Sequence, residues 1–123
     1  MFYKKNQSKK LNKQLFFNPT SEYRGTPFWA WNCKMDIEIL DEQIEYLNEM
    51  GFGGFHMHSR TGMAVPYLGE EFMNLVKFCT NKAKSKNMLA YLYDEDRWPS
   101  GTAGGFVTRN PRYRARYIEF SLN

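Results

Sequence analysis

The stretch MLAYLYDEDRWPSG, residues 88–101, joins a short apolar run to three consecutive acids, an arginine and a tryptophan. A short, bounded and aromatic-rich run is typical of a buried strand, and Pro99 with the glycine after Ser100 indicates a turn. In α/β folds the edge where strands end is where ligands bind. Carboxylates accept hydrogen bonds from hydroxyls, and a tryptophan stacks on a sugar ring. This strand end therefore suits a sugar or another polyol, unless the acids only cap a helix and solvate a turn.

Two further strands precede this one in the chain, FWAWN at 28–32 and FGGFHMH at 52–58. A helix follows the first, with Asp36 as its N-cap and Gly51 as its C-cap. Glu70 and Glu71 open a second helix. The apolar positions at steps of three and four are Ile37, Leu40, Ile44 and Leu47 in the first helix, and Phe72, Leu75, Val76, Cys79 and Ala83 in the second.

The order strand, helix, strand, helix, strand repeats at about thirty residues and predicts successive right-handed βαβ units. Residues 117–122 look like one more strand, and Phe16 and Phe17 are expected to pack on the domain from outside. An open doubly wound sheet and a (β/α)8 barrel both use such units. No glycine lies between the first strand and its helix, and polar residues end strand after strand, which favours the barrel. A closed barrel needs roughly 250 residues, so the chain is either the first part of one or a small open α/β domain.

Length and composition bound the class of protein. The chain has 123 residues, 42% of them hydrophobic, a net charge of +4 and two cysteines. This is one small globular domain with weak support for nucleic-acid binding. Cys33 and Cys79 match no metal or redox spacing and fit a reducing compartment, with a single disulfide as the alternative. Neither a signal-peptide core nor a membrane span is visible, so we expect a cytoplasmic protein or a piece of something larger.

Two histidines lie two residues apart on the second strand and therefore face the same way. His56 and His58 could join Asp94 and Asp96 from the next strand in holding a divalent metal. They could instead line a polar ligand site, or be satisfied within the core. The sequence leaves all three interpretations open and favours ligand contact.

A catalytic pair is not evident. Glycosidases place two carboxylates across one bond, whereas Asp94, Glu95 and Asp96 are consecutive and point to opposite sides of a strand. No nucleophile motif of the Ser-His-Asp, G-x-S-x-G or Cys-His type is present. Trp98 follows a charged turn, where we expect a stacking platform; for Trp29 and Trp31 core packing is the default.

Four segments resemble the N-terminal part of glycosyl hydrolases related to glycoside hydrolase family 106, the α-L-rhamnosidase-like enzymes. They are PFWAWN at 27–32, MGFGGF at 50–55, MHSR at 57–60 and YDEDRWPSG at 93–101. The likeness runs from about residue 16 to the last residue, and the final segment is long and unusual. One departure is Cys33, where the family pattern commonly has glycine after Trp-Asn.

The resemblance implies a partial (β/α)8 TIM barrel that supplies about the first three strands. Residues 1–25 would be a basic tail and lead-in, and residues 26–123 the N-terminal part of the barrel. The implied activity is hydrolysis of O-glycosidic bonds, with catalytic glutamates on later strands that this chain lacks. Calcium assists sugar binding in characterised relatives; it is possible in the full-length parent, and no cofactor is evident here.

The resemblance also implies a set of substrate-binding residues and no catalytic ones. They are Trp31, Asn32, His56, His58, Asp94, Asp96, Arg97 and Trp98. The implied partners are a carbohydrate substrate and the missing C-terminal part of the barrel, without nucleic acid or membrane. Two alternatives remain, a stand-alone carbohydrate-binding or protein-interaction module, and a small protein that binds nucleic acid through its basic ends.

Overall fold

A parallel three-stranded sheet is the centre of the computed structural model, which describes residues 5–97 and 103–121. Its strands lie in the order β1-β2-β3. The strands are β1 (Phe28–Trp31), β2 (Gly54–Ser59) and β3 (Leu89–Leu92), and the helices are α1 (Lys13–Phe17), α2 (Ile37–Glu49) and α3 (Glu70–Ser85). The chain also forms short 3-10 turns at Ser21–Tyr23, Ala103–Gly105 and Pro111–Tyr113. The predicted α/β order is confirmed over these strands and helices.

Local signals fix where the two long helices begin and end. The Asp36 carboxylate accepts a hydrogen bond from the backbone N–H of Glu38 at 3.0 Å, which caps α2. Gly51 follows α2 with φ +84°, a left-handed conformation that glycine adopts without strain. Asn87, which follows α3, also has a left-handed backbone conformation, with φ 54°. Each helix therefore stops where its sequence indicates, and the chain turns back to the sheet.

The hydrophobic core lies between one face of the sheet and the helices α2 and α3. Phe55 and Met57 from β2 are 0% and 1% exposed, and Ile44 and Phe72 from the helices are 0% exposed. Alternation along β2 sends these two strand side chains inward. Cys79 is also buried, and burial raises the pKa of its thiol to about 12. Both cysteines are free and Cys33 is exposed, so they form no disulfide with each other.

Charged side chains join α2 to α3 at the surface. Lys82 of α3 lies 2.8 Å from a carboxylate oxygen of Asp41 and 2.8 Å from one of Glu45. Lys86 reaches the other oxygen of Glu45, also at 2.8 Å. Hydrogen bonds from the two lysines lower the pKa of Glu45. Ion pairs at a partly exposed surface contribute little stability, so the apolar contacts hold the two helices together.

Three expectations about apolar residues are corrected. Ile37 is 50% exposed, because the first turn of α2 borders an open groove instead of a packed neighbour. Phe16 and Phe17 are 80% and 65% exposed and contact each other edge to face. The strand expected at 117–122 does not form over its described part, 117–121. A strand needs a hydrogen-bonded neighbour, and this segment has none among the described residues.

Candidate functional site

The carboxyl ends of all three strands meet at one edge of the sheet, as parallel pairing requires. Trp31 is in register with Ser59, and Met57 with Leu92. The ladder continues past the strands, since the N–H of Arg60 donates to the carbonyl of Trp31 at 3.0 Å. The segments that follow the strands, which carry most of the polar candidates, therefore lie side by side.

The face of the sheet opposite the helices carries two rows of rings. His56 stacks on Tyr91 with ring centroids 4.5 Å apart and planes 11° apart. His58 stacks on Tyr93 at 4.2 Å and 13°, and its other side meets the Phe28 ring at 4.3 Å. These spacings are close to the distance between neighbouring strands. The rings therefore stand on the sheet and are stacked across the strands, with their edges turned outward.

The outward edges of the rings are polar. Nδ1 of His56 is 3.1 Å from the carbonyl oxygen of Thr26. A carbonyl only accepts, so Nδ1 carries the proton and, in a neutral ring, Nε2 is left as an acceptor. Burial, followed by the nearby positive charges of His56 and Arg60, lowers the pKa of His58. This face thus offers imidazole nitrogens and tyrosine hydroxyls instead of an apolar surface.

Asp96 turns to the opposite side from the histidines. It is 5% exposed, and its Oδ1 accepts a hydrogen bond from Oγ of Ser59 at 3.0 Å. Ser59 lies on the core-facing side of β2 with Met57. His58 points to the face of the sheet opposite the helices, here called the bare face. The four-ligand metal set of two histidines, Asp94 and Asp96 is therefore not assembled. In residues 5–97 and 103–121, no group of three or more His, Cys, Asp or Glu is placed to hold a metal ion.

The remaining candidates occupy different environments at the same edge. Asn32 and Asp94 are exposed, whereas Trp31 is 1% exposed within the core. Trp31 packs on the Phe72 ring at 5.7 Å and does not reach a ligand surface. Nε of Arg97 lies 3.5 Å from Oδ1 of Asp96, and the residue has a left-handed φ of 60°, which is strained for any residue other than glycine. Trp98 lies outside the described residues.

Two residues at this edge were not among the sequence candidates. Tyr67, in the loop after β2, is 7% exposed and packs on the Phe72 ring at 5.3 Å. Burial, and then the charges of Asp96, Asp94 and Glu95, raise the pKa of its hydroxyl. Oε2 of Glu95 is buried and has no hydrogen-bond partner among the described residues. Only the fold brings Tyr67 to these acids, since its sequence signal is merely an aromatic in a Gly/Pro loop.

Comparison with known proteins supports the fold. No family model and no curated protein sequence matches the chain. Among solved structures the chain is similar to the rhamnosidase from Novosphingobium sp. PP1Y, with a TM-score of 0.59 and 18% identity. The match covers 69% of this chain and spans only 9% of the length of that enzyme. At this identity the similarity shows a shared βαβ arrangement. No helix in the described ranges is long and apolar enough to cross a membrane.

Proposed function

We propose that residues 26–123 are the N-terminal part of a (β/α)8 glycoside hydrolase barrel of the α-L-rhamnosidase-like kind. In such a barrel the helices form an outer ring and the opposite faces of the strands line the interior. The chain has the corresponding asymmetry, with α2 and α3 on one face of a parallel sheet and the other face bare. The fold similarity to a rhamnosidase agrees with this assignment.

The bare face of the sheet is the observation that carries the sugar-binding role. A parallel sheet is normally covered on both faces by aliphatic packing. Here the uncovered face presents His56, His58, Tyr91 and Tyr93, whose outward edges donate and accept hydrogen bonds. Such groups match the hydroxyls of a carbohydrate better than the side chains of another core layer.

Six of the eight candidates have a role in the proposal, and for the described ones it follows from where they lie. Asp94 and Asn32 are exposed at the edge and would bind sugar hydroxyls directly. Neutral His58 would donate or accept one hydrogen bond. The carboxylate of Asp96 accepts a hydrogen bond from Ser59, so it would orient Arg97 and would not bind the sugar directly. Trp98 would stack on the sugar ring.

We also propose that this chain alone does not hydrolyse glycosidic bonds. A glycosidase needs two carboxyl groups that flank the scissile bond. Asp96 is tied to Ser59 on the core side, which leaves Asp94 and Glu95 as adjacent residues of a single strand end. We expect purified protein to release no product from an aryl α-L-rhamnoside. Hydrolysis that Asp94→Asn abolishes would contradict this part of the proposal.

Sugar binding is tested separately by NMR, with L-rhamnose as the probe. We expect the sugar to shift the resonances of His56, His58 and Asp94, and Asp94→Asn or His58→Ala to weaken that effect at least tenfold, about 1.4 kcal/mol. Glu70→Gln, at the start of α3 and away from the bare face, is the matched control. Shifts that are absent, or that Asp94→Asn and His58→Ala leave unchanged, would remove the sugar-binding role. Tight binding by the cooperatively folded chain would instead favour a stand-alone carbohydrate-binding module.

A further inference from the structure

The outer edge of β3 is open. This strand is hydrogen-bonded to β2 on one side, and no described backbone pairs with its other side. Tyr91 and Leu92 are 40% and 41% exposed at this edge. An edge strand presents a row of free N–H and C=O groups, which readily pair with another extended chain.

The open end of the ring rows points to this edge in particular. On the β1 side the row ends at Phe28, and the Arg60 guanidinium lies 5.9 Å from the centre of that ring. On the β3 side the rows end at Tyr91 and Tyr93, whose outer faces meet no other ring in the described parts of the chain. A strand added beside β3 could continue these rows with an aromatic side chain, whereas on the β1 side the row ends at a ring that already has a cation near it.

The chain contains a segment with the properties of such a strand. Residues 117–121, YIEFS, alternate between apolar and polar side chains after Tyr117, as a half-buried strand does. The side chains of Tyr117, Ile118 and Phe120 are 86%, 79% and 90% exposed. The backbone of 117–121 makes no hydrogen bond to a described residue. The segment is thus an unpaired strand sequence in the same chain as an unpaired edge.

The chain does not join its own segment to its own edge in the structure. The described backbone of 117–121 makes no hydrogen bond to β3, although 24 residues, 93–116, lie between them in the sequence. A parallel crossover is usually an α-helix, and residues 103–116 contain two short 3-10 turns and no α-helix. A second copy needs no crossover, because its segment approaches from outside.

We propose that residues 117–121 of one copy pair with the outer edge of β3 in a second copy, and that the exchange is reciprocal. In the resulting two-fold dimer the outer edge of β3 is paired in both copies. Tyr117 extends the ring rows beyond Tyr91 or Tyr93. Tyr117 and Phe120 bury about 150–250 Å² each, and a reciprocal exchange with its partner surfaces approaches the roughly 1,600 Å² of a standard interface. The inference does not depend on sugar binding, and it concerns this chain without further strands, since the next strand of a closed barrel would occupy the outer edge of β3.

The oligomeric state tests this inference directly. Light scattering coupled to gel filtration, from about 5 to about 500 μM, should show a monomer becoming a dimer. Ile118→Asp and Phe120→Asp should each shift the midpoint at least tenfold higher, because they remove apolar contacts and leave the exposed segment free. Tyr113→Asp, at a 66% exposed site outside the segment, is the matched control and should leave the midpoint unchanged.

Amide hydrogen exchange identifies which strands pair. The amides of 117–121 should become protected only at concentrations where the dimer forms. Protection of these amides in the monomer would show pairing within one chain and overturn the inference. A monomer at every concentration, or a dimer that Ile118→Asp and Phe120→Asp leave intact, would overturn it as well.

Discussion

At the scale of single residues, the two sides of β2 separate two kinds of chemistry. His58 points to the bare face, where its ring stacks on Tyr93 and contacts the tilted ring of Phe28 on its other side. Its neighbour Ser59 points to the core side and holds the carboxylate of Asp96. Successive side chains of a strand point to opposite faces of the sheet. His58 and Ser59 therefore lie on different sides, and Ser59 is the one that contacts the buried acid Asp96.

The perturbed pKa of His58 leads to a pH dependence of stability. Burial lowers this pKa below its usual 6.5, so the unfolded chain binds a proton at a higher pH than the folded chain. Stability should therefore be retained above about pH 6.5 and decrease as pH falls from there to the folded pKa. His58→Gln should flatten this part of the profile in thermal unfolding between about pH 7.5 and pH 5. In the wild type, an NMR titration midpoint of His58 at or above 6.5 would contradict the prediction.

At the scale of elements, two glycines let the strands and the lead-in approach closely. A Cβ atom on Gly54 would overlap the carbonyl group of Leu89 in β3. A Cβ on Gly53 would overlap the carbonyl group of Ser21, which belongs to the 3-10 turn before β1. These backbone neighbours leave room for glycine alone at the two positions.

Substitution of Gly54 tests how closely β2 and β3 pack. Gly54→Ala should lower the free energy of unfolding by about 3 kcal/mol or more, since the added methyl meets backbone that cannot rotate away. Gly25→Ala is the matched control, because its Cβ would meet the Phe52 ring at an ordinary 3.4 Å. Urea unfolding of both variants measures the difference. Equal stabilities for the two variants would mean that the strands are not held at this distance.

At the scale of the whole molecule, a layer of helices packs on one face of the sheet, and no helix of the described residues packs on the other face. Small domains bury a low fraction of their surface and are marginal in stability. Here several large apolar side chains are also exposed outside the core, among them Leu11, Phe16, Tyr117 and Phe120. The core forms one continuous cluster between the sheet and the helices, and the described helices cover only one face of the sheet.

We therefore expect the isolated chain to be weakly stable. Its free energy of unfolding should lie below about 5 kcal/mol, the lower end for folded domains. Urea titration followed by the fluorescence of Trp29 and Trp31, which lie in or against the core, measures this value at a concentration where the chain is monomeric. A value above about 10 kcal/mol would show that the chain is a complete domain and would weaken the assignment as part of a barrel.

The sequence alone determined the three paired strands, the two long helices and most of the helix positions that face the core. Leu40, Ile44, Phe72 and Cys79 are buried as their spacing predicts, because helical period and end caps are local properties. The expected strand at 117–122 shows the limit of this reasoning, since a strand also needs a partner that periodicity does not supply.

Only the tertiary structure decided which side chains meet. The register of β2 with β3 placed His56 against Tyr91 and led to the stack of His58 on Tyr93. The turn after β3 sent Asp96 to Ser59 and away from the histidines. These contacts join residues thirty or more positions apart, and they depend on strand register and turn geometry, which no local pattern in the sequence contains.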